Sequence, residues 1–209
     1  MTTAIIDYGM GNAQSVINAI ESINHRAILT NRMEEIQNAD RIILPGVGAF
    51  PKAMDNLKRL GLLKILKEEV REKKKPFLGI CLGMQLLAKK GYEVAPTAGL
   101  GWIDAEVKRF EFTDKKFKIP HMGWDDVTCN TKSNMFMGAS EKQTFYFVHS
   151  YYVDCNDKKI VVGECDYGIK FTAAIEQENI FGAQFHPEKS QKDGLDLLKR
   201  FVEYDAQRK

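Results

Sequence analysis

Short apolar runs alternate with amphipathic stretches through the first half of the chain. The runs TAIID, RAILT, RIILPG and PFLGI are typical of β-strands, and PFLGI is apolar on both faces, as a fully buried strand is. Apolar residues at helical spacing follow the first run (Val16, Ile20, Ile23), recur through residues 49–75, and continue in LGMQLLAKKG. NRMEEIQNAD has room for a short helix, with Asn31 as a possible N-cap. This order predicts a mainly parallel sheet flanked by helices.

The second half of the chain has a β-rich pattern. Its apolar runs are separated by turn signals and read WIDAEVKRFEF, KFKIPHMGWDDV, TFYFVHSYYVDC, KIVVGEC and FTAAIEQENIFGAQF. The last helix, GLDLLKRFVEYD, is predicted to begin after Ser190, a possible N-cap with Asp193 three residues later. No repeat, linker or clear boundary divides the chain. The pattern as a whole predicts one α/β domain over residues 1–209, with a mixed or antiparallel extension of its sheet.

Composition narrows the class of protein. Hydrophobic residues make up 44% of the 209 and charged residues 28%, as in a soluble globular protein with a substantial core. The net charge is +2, and Lys and Arg are scattered, which disfavours nucleic acid as a partner. The N-terminus lacks the pattern of a secretory signal, and no apolar run has membrane-spanning length. The four cysteines form no C-x-x-C pair, so we expect free thiols in a cytoplasmic protein without membrane association.

A cysteine stands between two glycines in GICLG, where the PFLGI strand meets a predicted helix. A strand that turns sharply into a helix strains its corner residue and holds that side chain out at the carboxyl edge of the sheet. The helix N-terminus favours a thiolate, and the N–H of Leu82 is placed to stabilise an oxyanion. Cys81 is therefore a candidate nucleophile. The same pattern also fits a buried cysteine in a glycine-containing turn.

The segment QFHPEKS near the C-terminus supplies a candidate base. His186 follows an apolar run, and an extended backbone would place Glu188 on the same side. A carboxylate beside an imidazole fixes its tautomer and stabilises the imidazolium, as in nucleophile–base–acid triads. Taken alone, an H-P-E turn also fits an ordinary surface loop, and only its combination with Cys81 favours the catalytic interpretation.

Two glycine turns and two further histidines remain to be interpreted. LPGVGAF follows a predicted strand, and its glycines let a peptide near Val47 or Gly48 turn toward a ligand, which makes it a candidate oxyanion donor. Taken by itself, the segment fits a plain glycine turn better. DYGMGN lacks the third glycine of the dinucleotide motif, so a nucleotide cofactor is not expected. His121 and His149 have no second His or Cys at metal-ligand spacing, which favours a structural or substrate-contacting role over a metal.

The motifs resemble those of a known family. GICLGMQ with FHPE near the C-terminus is similar to the triad-type (class I) glutamine amidotransferases, which have a flavodoxin-like α/β fold, hydrolyse glutamine and pass ammonia to a partner. DYGMGN, LPGVGAF, GICLGMQLL, IPHMGW, FYFVHSY and QFHPEKSQ resemble, more narrowly, the glutaminase subunits of imidazole glycerol phosphate synthase, essentially from end to end. PGVG in place of PGG and the segment PHMGW are marks of that subunit.

This resemblance implies a role for each matching residue and no metal or other cofactor. Cys81 would be the nucleophile, His186 the general base and acid, and Glu188 the residue that orients His186. The oxyanion would be met by the Leu82 amide and by a PGVG peptide, at Val47 or Gly48, once it flips. The α-amino and carboxylate groups of glutamine would be held near Gly48, Gln85, Glu93, His149, Ser150 and Tyr151. The heterodimer partner, a (β/α)₈-barrel cyclase of histidine biosynthesis, would be faced by Met122, Trp124, Tyr146 and Lys189.

Two positions depart from the family pattern, and the sequence is compatible with more than one function. Ala13 replaces the leucine of DYGxGNL and Asp125 the last asparagine of PHMGWN, which questions partner fit more than chemistry. GLGWIDAEV and YGIKFTAAIEQENIFGAQFHPEKS also resemble a sub-branch that supplies ammonia for amidino-sugar formation in surface glycans. A non-catalytic binding subunit would keep the same fold, but the intact triad argues against it. A free-standing thiol hydrolase would leave the partner-face motifs unexplained.

Overall fold

The first four strands form a parallel sheet, as their apolar pattern predicts. The structure, a computed structural model, describes residues 1–205. The strands lie in the order β2-β1-β3-β4 with every neighbouring pair parallel, and a fifth strand, β13, adds in parallel to the other edge of β4. Their bounds are β1 (Thr2–Ile6), β2 (Arg26–Thr30), β3 (Arg41–Gly46), β4 (Phe77–Cys81) and β13 (Ile180–Ala183).

Helices connect the first four of these parallel strands. They are α1 (Ala13–Ser22), α2 (Met33–Asn38), α3 (Phe50–Arg59) and α4 (Leu62–Lys67), the last followed by a π-helical turn (Glu68–Glu72). The helical segment predicted over residues 49–75 is broken at Gly61, whose φ of 71° lies in the left-handed region that favours glycine. The prediction that Asn31 caps α2 was wrong. Arg32 occupies the N-cap position, and its N–H donates to the Thr30 hydroxyl.

The helix that leaves β4 is shorter than LGMQLLAKKG predicts. Helix α5 spans only Leu82–Gln85, and the chain then turns toward a short strand. The carbonyls that would continue the helix accept hydrogen bonds from residues 100–103 instead: the Leu100 N–H donates to Leu86 O at 2.8 Å and the Trp102 N–H to Leu87 O at 2.9 Å. Tertiary contacts therefore override the helical pattern at this point.

The second half of the chain extends the sheet with mainly antiparallel strands, so the sheet is mixed. From β13 the path runs through β12, β10 and β7 to the short strands β5 and β6, and a branch leaves β12 through β11 and β8 to β9. Their bounds are β5 (Lys90–Gly91), β6 (Thr97–Ala98), β7 (Ala105–Arg109), β8 (His121–Cys129), β9 (Lys142–His149), β10 (Tyr151–Cys155), β11 (Val161–Asp166) and β12 (Lys170–Gln177), with a 3₁₀ turn at Lys158–Ile160. The predicted α/β class and β-rich second half are confirmed, while residues 206–209 of the predicted domain lie outside the described residues.

The last helix, α6 (Gln191–Glu203), begins after Ser190 as predicted, but without the predicted capping box. The Ser190 hydroxyl donates to His186 O at 2.6 Å and accepts the Tyr146 N–H at 3.0 Å, so it ties β9 to the segment before α6. Asp193 accepts the Thr144 N–H rather than bonding within its own helix. Both side chains serve contacts between elements, which a local capping pattern does not reveal.

Apolar side chains cover both faces of the parallel strands. Ile5 and Leu78 pack in one core cluster with residues of α1 and α6, whereas Ile6 and Phe77 pack in a second cluster with residues of α3 and α4. No helix within residues 1–205 is long and apolar enough to span a membrane. Because both faces are covered, the carboxyl ends of the parallel strands form the accessible edge of this sheet.

Candidate active site

Cys81 occupies the sharp turn between β4 and α5. Its φ of 53° and ψ of −108° lie in a region that costs a residue other than glycine about 1–3 kcal/mol. The flanking glycines allow the turn, since a Cβ on Gly83 would lie 1.8 Å from Leu44 O and a Cβ on Gly79 would lie 2.6 Å from Gly83 O. The structure therefore has the strained strand-to-helix corner that the pattern GICLG predicts, and the side chain stands at the carboxyl edge of the sheet.

His186 and Glu188 form a buried pair after β13, the parallel neighbour of β4. His186 Nδ1 lies 2.8 Å from Glu188 Oε1, and both side chains are almost fully buried. Glu188 reaches the ring from a 3₁₀ turn (Pro187–Lys189) rather than from the extended backbone that we expected. Because a carboxylate only accepts, Nδ1 donates to it, and the buried Nε2 is left without a hydrogen-bond partner among the described residues.

The surroundings of His186 favour its charged form. Burial alone lowers the pKa of His186, but the Cys81 sulfur and the Glu188 carboxylate act in the opposite direction and raise it to about 10. The remaining thiols are unsuited to nucleophilic chemistry because burial raises the pKa of Cys129 to about 12, of Cys155 to about 11 and of Cys165 to about 12. Only Cys81 thus combines a corner position with a neighbouring imidazole.

Sequence reasoning missed two side chains beside the thiol. Gln184 is fully buried, and its Nε2 donates to Cys81 Sγ at 3.7 Å. The alternation of a strand carried a signal for it, because Gln184 precedes His186 by two residues and so lies on the same side. Tyr8 is also buried nearby, and burial together with the Cys81 charge raises the pKa of its hydroxyl. Nothing in DYGMGN indicated that the tyrosine packs against the strand pair that carries Cys81.

A cavity of about 520 Å³ opens in front of Cys81, within the range of roughly 300–1,000 Å³ that is usual for small-molecule sites. All the residues predicted to hold the substrate or its oxyanion line it: Val47, Gly48, Leu82, Gln85, Glu93, His149, Ser150 and Tyr151. Ala49, Pro120 and Val148 also line it and had no chemical signal in the sequence. The structure thus gathers five separate segments of the chain, at residues 47–49, 81–85, 93, 120 and 148–151, into one cavity.

Backbone pairing brings the PGVG turn beside Cys81. Gly46 at the end of β3 is the parallel partner of Cys81, so Val47 and Gly48 follow directly at the mouth of the cavity. Gly48 has a φ of 102°, a conformation that favours glycine. On the same wall, Glu93 Oε2 accepts the Phe50 N–H at 2.7 Å and so holds the start of α3. Loop and wall are therefore positioned by specific contacts before any ligand enters.

The residues predicted to face a partner form one surface, which we call the aromatic patch (Met122, Trp124, Tyr146 and Lys189). The exposed fractions of Met122 and Trp124 are 62% and 46%, which are high for large apolar side chains. Trp124 and Tyr146 are cross-strand partners on β8 and β9 with ring centroids 5.9 Å apart, and Lys189 Nζ lies 5.8 Å from the Tyr146 ring. Exposed aromatic and methionine side chains of this kind are typical of protein–protein contacts.

Comparison with known proteins decides the family. A family model described as glutamine amidotransferase class-I matches residues 4–204. The chain belongs to the class-I glutamine amidotransferases. Two solved structures share the fold of this amidotransferase at low sequence identity: a glutamine amidotransferase (19% identity, TM-score 0.74, 96% of this chain and 97% of that chain) and PurLQS from Thermotoga maritima (18%, 0.76, 96% and 97%).

Within this family, the chain is similar to curated relatives over almost its whole length. It is 48% identical to imidazole glycerol phosphate synthase subunit HisH 1 of Campylobacter jejuni strain RM1221, over 95% of this chain and 98% of the relative. It is 49% identical to subunit HisH 2 of Methanococcus maripaludis and 46% identical to subunit HisH 2 of Pseudomonas aeruginosa, with the same coverage. These relatives confirm the narrower resemblance that the sequence motifs indicated.

Proposed function

We propose that this amidotransferase hydrolyses glutamine and supplies ammonia to a cyclase subunit that forms imidazole glycerol phosphate in histidine biosynthesis. The observation that supports this proposal most directly is the strained Cys81 on the wall of the 520 Å³ cavity, together with the buried His186–Glu188 pair. The names of the relatives, subunits of imidazole glycerol phosphate synthase, support the choice of the synthase. The protein would be cytoplasmic, and the proposed chemistry requires no cofactor.

Acylation begins with Cys81 as the thiolate and His186 as the imidazolium, because the surroundings of His186 favour its charged form and its Nε2 carries the proton. The thiolate attacks the side-chain amide carbon of glutamine, and the negative charge moves to the amide oxygen. N–H groups of Leu82 and of the PGVG turn, at Val47 or Gly48, stabilise that oxygen. His186 then protonates the leaving nitrogen, and the C–N bond breaks to give ammonia and a γ-glutamyl thioester.

Deacylation uses the same base in the opposite direction. His186 takes a proton from water, whose oxygen attacks the thioester carbon, and the collapsing intermediate releases glutamate as the thiolate leaves. Glu188 holds the ring through Nδ1 and stabilises the imidazolium in both steps. Gln85, Glu93, His149, Ser150 and Tyr151 line the part of the cavity where the α-amino and carboxylate groups of glutamine would bind.

The aromatic patch is the proposed contact surface for the cyclase, which would be a (β/α)₈ barrel. The patch adjoins the proposed triad, because the backbone N–H of His186 donates to the backbone carbonyl of Tyr146 at 2.9 Å. In the resting chain we expect the PGVG peptide to be unflipped and the oxyanion pocket incomplete. Binding of the cyclase with its ribosyl ligand would complete the pocket, so ammonia is released only where it is consumed.

The test measures glutamate release from glutamine by the purified chain, alone and with a histidine-pathway cyclase plus its ribosyl ligand. We expect a large ligand-dependent rise in rate that Cys81→Ala abolishes. Cys155→Ala is the matched control, because it removes a buried thiol at the end of β10 whose charged neighbours, Asp154, Asp157 and Lys158, do not belong to the site.

Three outcomes separate the candidates. Full turnover in Cys81→Ala would remove Cys81 from the mechanism. Silence with the histidine-pathway cyclase but activity with a sugar-pathway homologue would transfer the same triad to amidino-sugar formation. No turnover with either partner, and no alkylation of Cys81 by a glutamine-like electrophile, would indicate a non-catalytic subunit.

A further inference from the structure

A chain of hydrogen bonds runs from Asp125 on β8 to the cavity wall. His121 on β8 and His149 on β9 are direct cross-strand partners, with His121 Nδ1 3.0 Å from His149 Nε2. His149 Nδ1 lies 2.8 Å from the carbonyl oxygen of Tyr151, which lines the cavity. At the other end, His121 Nε2 lies 2.8 Å from Asp125 Oδ2. Three contacts thus connect a carboxylate to a wall of the substrate cavity.

The same carbonyl is also linked to the thiol. Tyr151 O accepts a hydrogen bond from Gln85 Nε2 at 2.9 Å, and Gln85 Nε2 also donates to Gln184 Oε1 at 3.2 Å. Gln184 in turn donates to Cys81 Sγ at 3.7 Å. The Tyr151 carbonyl is therefore held from both sides, by an amide pair that reaches the nucleophile and by the histidine pair.

Proton counting shows what the histidine chain requires. A carbonyl oxygen only accepts, so His149 Nδ1 carries a hydrogen, and a neutral His149 then presents a lone pair at Nε2. His121 must donate to that lone pair from Nδ1. A neutral His121 would consequently present a second lone pair, at Nε2, to the Asp125 carboxylate. All three contacts are satisfied only if one additional proton resides between His121 and Asp125.

The surroundings confine that proton to the Asp125 end of the chain. Burial lowers the pKa of His149 to about 3, with His121 and His186 acting in the same direction. Burial also lowers the pKa of His121, and Asp125 opposes this. The other groups that face this end are the stacked ring of Tyr167, 4.0 Å from His121 between centroids, and the Cys165 thiol, on which Asp125 acts. The Asp125 side chain is 39% exposed, so the proton exchanges with solvent there.

We propose that Asp125 is a positioning residue for the substrate cavity: by sharing a proton with His121 it fixes the tautomer of His149 and so holds the Ser150–Tyr151 segment in place. When that proton is lost, two lone pairs face each other at 2.8 Å, the contact opens at its exposed end, and the segment loosens. Positioning by Asp125 is therefore complete at low pH and is lost as pH rises. This inference rests on the proposed function in one respect, which is that the substrate is glutamine.

The kinetic test compares the KM for glutamine from about pH 5 to 8, because burial places the pKa of His121 below the usual imidazole value of about 6.5. It is made in the complex with the activating cyclase, for three variants and the unchanged chain. Asp125→Asn presents an amide N–H to His121 Nε2 and needs no additional proton, so its KM should be low and independent of pH. Asp125→Leu leaves the chain without an end group, and its KM should be raised roughly 5- to 10-fold at every pH, as for a lost buried hydrogen bond. Asp126→Asn is the matched control, because it removes the same charge from the next residue of β8, which pairs with Lys142 and not with His121.

We expect the unchanged chain and Asp126→Asn to show the same rise in KM with pH, with little change in kcat. A rise of equal slope in Asp125→Asn, or an unaltered KM in Asp125→Leu at every pH, would overturn the proposal. A second measurement is independent of glutamine: ¹⁵N NMR of the ring nitrogens in the free chain, which has only four histidines. His149 should remain protonated at Nδ1 alone, and the His121 signals should shift with pH in the unchanged chain but not in Asp125→Asn. A His149 protonated at Nε2 alone would refute the tautomer assignment even if no partner activates glutamine hydrolysis.

Discussion

Replacing the strained Cys81 by glycine should give a more stable chain than replacing it by alanine. Both substitutions remove the thiol, so they differ only in the Cβ that remains at the corner between β4 and α5. At an ordinary position inside an element, glycine is less stable than alanine by about 0.5–1 kcal/mol, because the unfolded chain gains conformational freedom. At Cys81 the φ of 53° and ψ of −108° oppose that trend, since only glycine adopts such angles without steric cost.

The magnitude follows from these two effects. Relief of the strained backbone favours glycine by about 1–3 kcal/mol, and the unfolded-state effect favours alanine by about 0.5–1 kcal/mol. The free energy of unfolding of Cys81→Gly should therefore exceed that of Cys81→Ala by about 1 kcal/mol. For a chain of this length, that difference corresponds to about 2–4 °C in Tm.

Urea denaturation of the two variants, followed by circular dichroism in one buffer, measures this difference. Asn18 on the exposed side of α1 provides the control position, where Asn18→Gly should be less stable than Asn18→Ala by about 1 kcal/mol. If Cys81→Gly is less stable than Cys81→Ala by the same amount as the Asn18 pair, the corner stores no strain and the argument for a strained nucleophile fails.

Three further changes test the site. Gly83→Ala should lower the free energy of unfolding by roughly 3–5 kcal/mol in urea denaturation, because its Cβ would lie 1.8 Å from the Leu44 carbonyl oxygen. Gly101→Ala has no atom within 4 Å of its Cβ and carries only the backbone cost of its φ of 68°, about 1–2 kcal/mol, so equal losses in the two variants would contradict the steric account. The pKa of His186 is raised from 6.5 to about 10, so the free energy of unfolding should fall as pH rises through that interval. Urea denaturation at a series of pH values should show a smaller fall for Glu188→Gln than for the unchanged chain. Parallel profiles of the two proteins would exclude Glu188 as a cause of the raised pKa. Iodoacetamide at neutral pH should alkylate Cys81 before Cys129, Cys155 or Cys165 in peptide mass spectrometry, because burial raises the pKa of those three thiols. Earlier labelling of any of the three would contradict the assignment of Cys81 as the reactive cysteine.

Much of the architecture could be predicted from the sequence, because the patterns that determine these elements are local. Each parallel strand is an apolar run, each connecting helix has helical spacing, and the glycines around Cys81 predict a corner that only glycine neighbours allow. The pairing of His186 with Glu188 was predicted from their separation of two residues, although a 3₁₀ turn and not the expected extended backbone brings the carboxylate to the ring. In these cases the side chain and the backbone that positions it lie within a few residues of each other.

Contacts between distant segments were not predictable in the same way. Helix α5 ends early because residues 100–103 take the carbonyls that would extend it, and Ser190 bonds to β9 instead of capping its helix. Pro120 and Val148 line the cavity although their side chains carry no chemical signal. His121 and His149 were identified only as structural or substrate-contacting residues, because their pairing depends on the register of β8 and β9.

Strand β9 explains why the aromatic patch, the triad and the cavity lie so close together. Residues 146–149 of this strand contact all three features. The Tyr146 side chain belongs to the aromatic patch, the Val148 carbonyl oxygen lies 4.0 Å from Cys81 Sγ, and His149 lines the cavity. The Tyr146 backbone also accepts the His186 N–H and donates to Ser190 Oγ. Since these bonds use backbone atoms, they position His186, the proposed base, without the tyrosine ring, and the ring remains available for the proposed partner contact. Strand β9 thus holds the His186 segment through its backbone atoms and presents the Tyr146 side chain at the protein surface.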